Sequence, residues 1–189
     1  MLDEVALAFD DLGRYDAIVA GIRSYELRPD LPRSNARLLD YVKNGGTLLV
    51  QYERDFAWSR LLPAPFPAKM ADQAARVTDP GSPVRFLAPE NPLLNSPNKI
   101  SLADFQGWVQ ERGLYFWGTF DPRYQPVLGL KDPGESEAKG GLVYAMYGEG
   151  VYIYTGLSFF RELPAGVPGA YRLFVNLLSQ TQHATSSGN

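Results

Sequence analysis

The sequence predicts an α/β fold with a mostly parallel sheet and an antiparallel hairpin added near the C-terminus. Two patterns carry this prediction. Asp16–Gly21 and Gly45–Gln51 are apolar and strand-like, and the helix-like segment Leu31–Asn44 separates them, which is the strand–helix–strand order of a parallel sheet. Later, the segment Leu142–Thr155 contains two apolar runs joined by a glycine-containing turn, and this pattern is typical of a β-hairpin.

The chain opens with a short amphipathic pattern. Leu2–Leu12 carries Val5, Ala8 and Phe9 on one side of a helix. Open α/β sheets ordinarily begin with a strand. We therefore expect an upstream strand, and whole upstream domains, to belong to the same protein, so that this sequence would be the C-terminal part of a larger one.

The second helix is the crossover between the first two strands. Leu31–Asn44 presents Leu38, Leu39 and Val42 on one face, and Pro32 stands in its first turn, where the missing N–H of proline is tolerated. The glycine pair that follows is a helix stop.

The middle of the chain is predicted to be irregular at first. Tyr52–Pro83 contains five prolines and is expected to wrap over the sheet edge as a functional or interfacial loop. Pro83–Leu87 is a brief strand, and Asn91–Asn98 has the composition of a turn.

A further helix is predicted after this turn. Ser101 and Asp104 form a capping-box-like start. The residues that follow the helical spacing are Leu102, Phe105, Trp108 and Val109, and such a stripe is typical of core packing.

The last third contains the hairpin and a closing helix. Leu142–Tyr147 and Val151–Thr155 are its strands, and Gly169–Ser179 is a helix with one apolar face. We expect residues 1–180 to form a single domain. The polar tail, residues 181–189, is predicted to be disordered.

Composition excludes several classes of protein. The net charge is −3, with 18 basic and 21 acidic residues interspersed, so a nucleic-acid partner is not expected. No apolar run approaches the ~20 residues that a membrane helix needs, so membrane insertion is not expected either. A chain without cysteine is equally compatible with the cytoplasm and with the periplasm or secretion, and the compartment stays open.

The residue inventory also limits catalysis. The chain has no cysteine, and its single histidine, His183, lies in the tail, so neither a Ser-His-Asp nor a Cys-His site can form in the folded part. Zinc sites that need several such ligands are excluded for the same reason. With no nucleotide-binding glycine motif either, we predict no catalytic residue, no cofactor and no metal.

Polar and aromatic residues follow the predicted parallel strands. Ligands of open α/β sheets bind beyond the carboxyl ends of these strands, and Ser158-Phe159-Phe160-Arg161 could reach the same region. The candidate ligand-binding residues are Arg23, Tyr25, Gln51, Tyr52, Arg54 and Arg161. The arginines could grip an anion and the tyrosines could stack on a sugar. The alternative is that the arginines pair with Glu26 or Asp55 on a solvated loop.

An aromatic segment offers a second candidate surface. The residues Trp108, Tyr115, Phe116 and Trp117 surround Glu111 and Arg112. We interpret them as a hydrophobic interface for a neighbouring domain, with a sugar-stacking wall as the alternative. Glu53 and Glu111 are the one pair nominated for carboxylate-based glycoside hydrolysis, which needs two carboxyl groups across a cleft.

Four segments together carry a family resemblance. They are Asp11–Tyr25, Leu38–Gln51, Asn91–Phe116 and Gly140–Leu178. They resemble the C-terminal region of large bacterial PIG-L/LmbE-type N-acetylglucosaminyl deacetylases. That region is similar to class I glutamine amidotransferase-like, ThuA-like domains, whose pattern is matched here by Gly45-Gly46, Asn91-Pro92-Leu93 and Tyr147–Thr155.

The resemblance implies a flavodoxin-like three-layer α/β/α sandwich, but it brings no active site. The amidotransferase nucleophile motif Gly-x-Cys-x-Gly is missing, and so is the Ala-His-Pro-Asp-Asp-type zinc motif of the deacetylases. Any zinc-dependent deacetylase chemistry would then lie upstream of Met1. The resemblance thus implies a non-catalytic accessory domain whose partners are an upstream deacetylase domain and an amino sugar or cell-wall carbohydrate; a stand-alone sugar-binding module is the alternative.

Overall fold

A computed structural model describes residues 2–54, 63–71 and 75–180 of the chain. The strands in these ranges are β1 (Ala17–Ala20), β2 (Thr47–Gln51), β3 (Ala68–Met70), β4 (Val84–Phe86), β5 (Trp117–Phe120), β6 (Gln125–Pro126), β7 (Leu128–Leu130), β8 (Leu142–Tyr147) and β9 (Gly150–Thr155). The α-helices are α1 (Glu4–Phe9), α2 (Ser24–Leu27), α3 (Asp30–Lys43), α4 (Phe159–Glu162) and α5 (Pro168–Leu178).

A mostly parallel sheet organises the fold. Five strands pair in the order β1-β2-β9-β8-β6. The β1–β2 and β2–β9 pairs are parallel, whereas β8 runs antiparallel to both β9 and β6. Four of the five strands therefore run in one direction, which confirms the predicted α/β class and its mostly parallel sheet.

The predicted hairpin is present with nearly the predicted bounds. Leu142 pairs with Thr155 and Tyr147 pairs with Gly150, so the second strand begins one residue earlier than the sequence indicates. Gly148 in the turn has a φ of 63°, a backbone conformation that glycine adopts without a steric penalty.

Alternating side chains of the central strands join two hydrophobic clusters. Leu48 and Val50 of β2 pack with Leu38 of α3, whereas Leu49 between them belongs to the cluster that contains Leu173 of α5. Neighbouring strand residues point to opposite faces of a sheet. Helices α3 and α5 therefore pack in different clusters, and β2 contributes to both.

The opening helix is shorter than predicted. It spans Glu4–Phe9 and begins where the Asp3 carboxylate accepts the Ala6 N–H at 2.8 Å. Arg37 of α3 donates to backbone carbonyls at the end of α1, including that of Asp10 at 2.6 Å. The two helices are thus joined through the groups that α1 leaves unpaired at its carboxyl end.

The helix predicted after Ser101 is wrong beyond its first turn. The capping box forms, but the element is a 3₁₀-helix, Leu102–Phe105. Gly107 and Gln110 then adopt φ values of 72° and 64°, which lie outside the helical region. Trp108 consequently leaves the helical path.

The described residues between 63 and 86 include two strands in the proline-rich part of the chain. Strand β3 pairs with β5, and the predicted strand at Pro83–Leu87 is present as β4, which pairs with β7. The tail prediction for residues 181–189, including His183, falls outside the described residues. No helix in the described ranges is long and apolar enough to cross a membrane.

Candidate functional site

Three parallel strands end at one edge of the sheet and bring an aromatic and basic cluster together there. Tyr52 follows β2, and its ring stacks on Tyr115 with centroids 5.2 Å apart and meets Phe160 edge-on at 5.5 Å. The Arg23 N–H, after β1, donates to the Tyr52 carbonyl at 2.9 Å. Arg161 lies over the Phe160 ring, 5.0 Å from its centroid. We call these five residues the carboxyl-edge cluster.

Glu26 binds two of the predicted arginines. Its carboxylate accepts two hydrogen bonds from Arg23, the shorter at 2.8 Å, and two from Arg54, one of them at 2.8 Å. These hydrogen bonds lower the pKa of Glu26 to about 2. The structure therefore contains the ion pair with Glu26 that the sequence allowed, whereas Asp55 lies outside the described residues.

The remaining predicted ligand residues do not all reach the cluster. Tyr25 is buried, and its hydroxyl donates to Asn35 Oδ1 at 2.9 Å, because α2 turns this side chain inward. Gln51 is the last residue of β2 and is half-buried. Arg161 does reach the cluster, as the sequence following the hairpin suggested.

Two members of the cluster have left-handed backbone conformations. Arg23 has a φ of 55° and Tyr115 a φ of 56°. Among the described non-glycine residues, Gln110 is the third with a positive φ. A left-handed conformation is unfavourable for residues with a Cβ and is enriched at functional sites.

A fully buried carboxyl group lies behind the cluster. Glu53 follows Tyr52 and is 0% exposed. Its Oε1 accepts the Ser24 hydroxyl at 3.0 Å and the Tyr25 N–H at 3.3 Å, whereas Oε2 has no partner among the described residues. Burial raises the pKa of Glu53 to about 7, despite these hydrogen bonds.

The second nominated carboxyl group has a different environment. Glu111 lies between two arginines, 3.6 Å from Arg76 Nη2 and 3.5 Å from Arg161 Nε. One of these partners belongs to the carboxyl-edge cluster. Glu111 is thus held as an ion-paired neighbour of the cluster, whereas Glu53 is enclosed beneath it.

The interpretation of the aromatic segment as an exposed interface needs correction. Trp108, Phe116 and Trp117 are all buried in the core. Trp117 stacks on Tyr154 of β9, with centroids 4.5 Å apart. These large apolar rings are covered by other residues of this chain, and only Tyr115 of the predicted interface residues is partly exposed.

Tyr115 lies apart from the buried rings of the aromatic segment and stacks on Tyr52. The structure places it at the carboxyl edge because the Leu114 N–H donates to the Gly156 carbonyl, directly after β9, at 2.9 Å. No local pattern indicated this contact. Within the described ranges, no three acidic or histidine side chains lie together in a way that could hold a metal ion.

Comparisons with known proteins find similar folds but give no function. No protein-family model matches the chain, and no curated protein does. Among solved structures, the chain aligns with the cytoplasmic protein STM3548 of Salmonella typhimurium at 20% identity and a TM-score of 0.60, covering 92% of this chain and 75% of that one. For the cytoplasmic protein STM1381 of Salmonella typhimurium LT2, the identity is 18%, the TM-score 0.57 and the coverage 90% and 74%.

A larger enzyme contains a similar fold. A β-galactosidase from Rahnella sp. R3 aligns at 14% identity with a TM-score of 0.50, over 88% of this chain but only 23% of the enzyme. Identities this low show a shared fold and nothing about shared chemistry.

Proposed function

We propose that this chain is a non-catalytic, glutamine amidotransferase-like accessory domain that binds carbohydrate at the carboxyl edge of its sheet. The carboxyl-edge cluster is the observation that carries the proposal. It combines the rings of Tyr115 and Phe160 with the half-exposed guanidinium groups of Arg23 and Arg161. Aromatic rings stack on the apolar faces of sugars, and guanidinium groups hydrogen-bond their oxygens.

The accessory role follows from the residues that are missing. Because the chain has no cysteine, it cannot perform the thiol chemistry of amidotransferases. We infer a flavodoxin-like three-layer arrangement, which is supported by the packing of α3 and α5 in separate clusters. The sequence resemblance makes a PIG-L/LmbE-type deacetylase the expected upstream partner, and an amino sugar the expected ligand.

Calorimetric titration with chitotriose and with its deacetylated form tests the binding. We expect wild-type protein to bind at least one of them, and Tyr115→Ala and Arg161→Ala to weaken that binding at least tenfold. Arg85→Ala is the matched control, because Arg85 is an exposed arginine on β4 that pairs with Glu137. Absence of binding by the wild type, or equal affinity in all variants, would contradict the proposal.

A carboxylate-based glycoside hydrolase is the competing function. The raised pKa of Glu53 is a property that general acids of this class share, but its carboxyl group is fully buried and does not face the cluster's exposed surface. If the wild type released reducing sugar and Glu53→Gln did not, the chain would be a hydrolase and the non-catalytic proposal would be wrong.

A further inference from the structure

A second candidate binding site lies away from the carboxyl-edge cluster. A cavity of about 420 Å³ opens between the turn before β4 and the 3₁₀-helix Leu102–Phe105. Its wall includes Pro83, Val84, Phe105, Trp108 and Arg112. The volume falls within the range of small-molecule pockets, which is about 300–1,000 Å³.

Arg112 gives this cavity a buried positive charge. Its side chain is enclosed, with the whole residue 4% exposed. Nε and Nη2 donate to the Ser82 carbonyl at 3.1 and 2.9 Å, and Nη1 donates to the Phe105 carbonyl at 2.5 Å. These bonds use three of the five N–H donors of a guanidinium group. One donor on each Nη nitrogen is therefore left over.

No carboxylate in the described ranges forms an ion pair with this guanidinium group. The guanidinium group contacts the carbonyls of Ser82 and Phe105 and the rings of Phe105 and Trp108. Burial lowers the pKa of Arg112, and the more distant charges of Glu162 and Asp79 offset part of that effect. Buried charges in proteins are ordinarily paired, so an anion bound beside this guanidinium group would be electrostatically favoured.

The aromatic wall defines the rest of the ligand. The rings of Phe105 and Trp108 stack with centroids 5.5 Å apart. The Trp108 indole N–H is already used, since it donates to the Asp104 carbonyl at 3.0 Å. The rings therefore present apolar surface, while Arg112 is the one basic residue among the described residues that line the cavity.

We propose that this cavity binds a small organic monocarboxylate with a flat apolar body. The carboxylate would accept the remaining Nη donors of Arg112, as guanidinium and carboxylate groups pair well in bidentate geometry. The apolar body would lie against Phe105 and Trp108. A single guanidinium matches one negative charge, and this disfavours a phosphate dianion. This proposal is independent of the carbohydrate proposal, because neither Arg112 nor the two aromatic residues belong to the carboxyl-edge cluster.

Benzoate and its neutral isostere benzamide are the probes for this site. Titration of the full chain, followed by ¹H–¹⁵N spectra, should show saturable benzoate binding with shifts at Gly107 and the Trp108 indole. We expect benzamide to bind at least tenfold more weakly. Equal binding of the two probes, or no benzoate binding, would overturn the proposal.

Two variants locate the binding. Arg112→Gln removes the charge and should weaken benzoate binding at least tenfold, with Arg85→Gln on the exposed face of β4 as the control. Because Arg112→Gln could fail to fold, Val84→Phe provides an independent test, since it adds bulk at the cavity wall and keeps the arginine. Benzoate affinity that survives in folded Val84→Phe protein would place the probe elsewhere and refute the site.

Discussion

Ser24 donates its hydroxyl hydrogen to the buried Glu53 carboxyl group at 3.0 Å, across 29 residues of sequence. This bond joins the start of α2 to the residues that follow β2. The acceptor is a group whose pKa is raised to about 7 by burial, although carboxyl groups of glutamate ordinarily titrate near 4.5. A protonated carboxyl group is therefore part of the folded state at mildly acidic pH.

Glu53 should make the folded state less stable as pH rises. Between pH 4.5 and 7 the unfolded chain releases a proton that the folded chain retains, so the free energy of unfolding falls over this window. The stabilisation that protonated Glu53 contributes is fully present below pH 4.5, the pKa in the unfolded chain, and is lost as pH rises through about 7, the pKa in the folded chain. The difference between these two pKa values corresponds to about 3 kcal/mol. Urea denaturation from pH 4 to 8 measures it.

Glu53→Gln supplies the comparison for this pH dependence. Glutamine resembles the protonated acid in shape and does not titrate, so the variant should lose most of the decline in stability between pH 5 and 7. Glu149→Gln, at an exposed hairpin position, should keep the wild-type profile. An unchanged profile in Glu53→Gln would show that other groups cause the decline.

Gly156 should tolerate no side chain. A Cβ there would lie 2.5 Å from the Leu114 carbonyl oxygen and 2.6 Å from the Phe116 ring. We expect Gly156→Ala to lower the free energy of unfolding by about 1–3 kcal/mol, as overpacking does, and to weaken sugar binding by displacing Tyr115.

Gly21→Ala is the matched control for this substitution. Gly21 follows β1 as Gly156 follows β9, but a Cβ at position 21 would meet no atom within 4 Å. Thermal denaturation of the two variants should separate them clearly. Equal melting temperatures would mean that the residues before β5 move to accommodate the added methyl group without loss of stability.

Substitutions of Tyr115 test whether its left-handed backbone conformation affects stability. Valine at φ 56° is sterically unfavourable, whereas asparagine tolerates this region. We expect Tyr115→Val to be less stable than Tyr115→Asn by about 1–2 kcal/mol, although both remove the ring. At Tyr147, in strand β8, the order should reverse because valine favours strands. Urea denaturation of the four variants decides the matter.

The sheet could be predicted because its signals are local. The crossover helix and both hairpin strands lie within one residue of their predicted bounds. Apolar periodicity and helix-ending glycines are patterns of neighbouring residues, so they can be recognised without knowing the tertiary contacts. The helix after Ser101 was wrong because the path of residues 106–112 depends on distant contacts. The Arg112 N–H, for example, donates to the Val77 carbonyl at 2.9 Å.

The candidate site was predictable only in outline. Strand order placed Arg23 and Tyr52 at one edge, because parallel strands share their carboxyl ends. The sequence could not show that Tyr25 would turn into the core or that the residues before β5 would bring Tyr115 to this edge. Both outcomes follow from tertiary contacts, through Asn35 and Gly156 respectively.

Asn176 should be the most sensitive polar position of the core. It is fully buried in α5. Its Nδ2 donates to the carbonyls of Leu93 and Asn98 at 2.9 and 2.8 Å, and its Oδ1 accepts the Asn98 N–H at 2.9 Å. One side chain therefore fastens the turn after β4 to the closing helix, and its amide is satisfied at both ends.

Asn176→Asp keeps the shape but places an acceptor against two carbonyl oxygens. We expect a loss of about 3 kcal/mol at neutral pH, since a buried charge is left unpaired. The loss should shrink as pH falls, because protonation restores one donor and the folded-state pKa of this aspartate would be raised. Asn44→Asp makes the same change at an exposed position whose side-chain amide donates to the Asp40 carbonyl, and should cost less than about 1 kcal/mol. Urea denaturation of both variants at pH 4 and 7 compares them, and equal losses would show that the Asn176 contacts contribute little to stability.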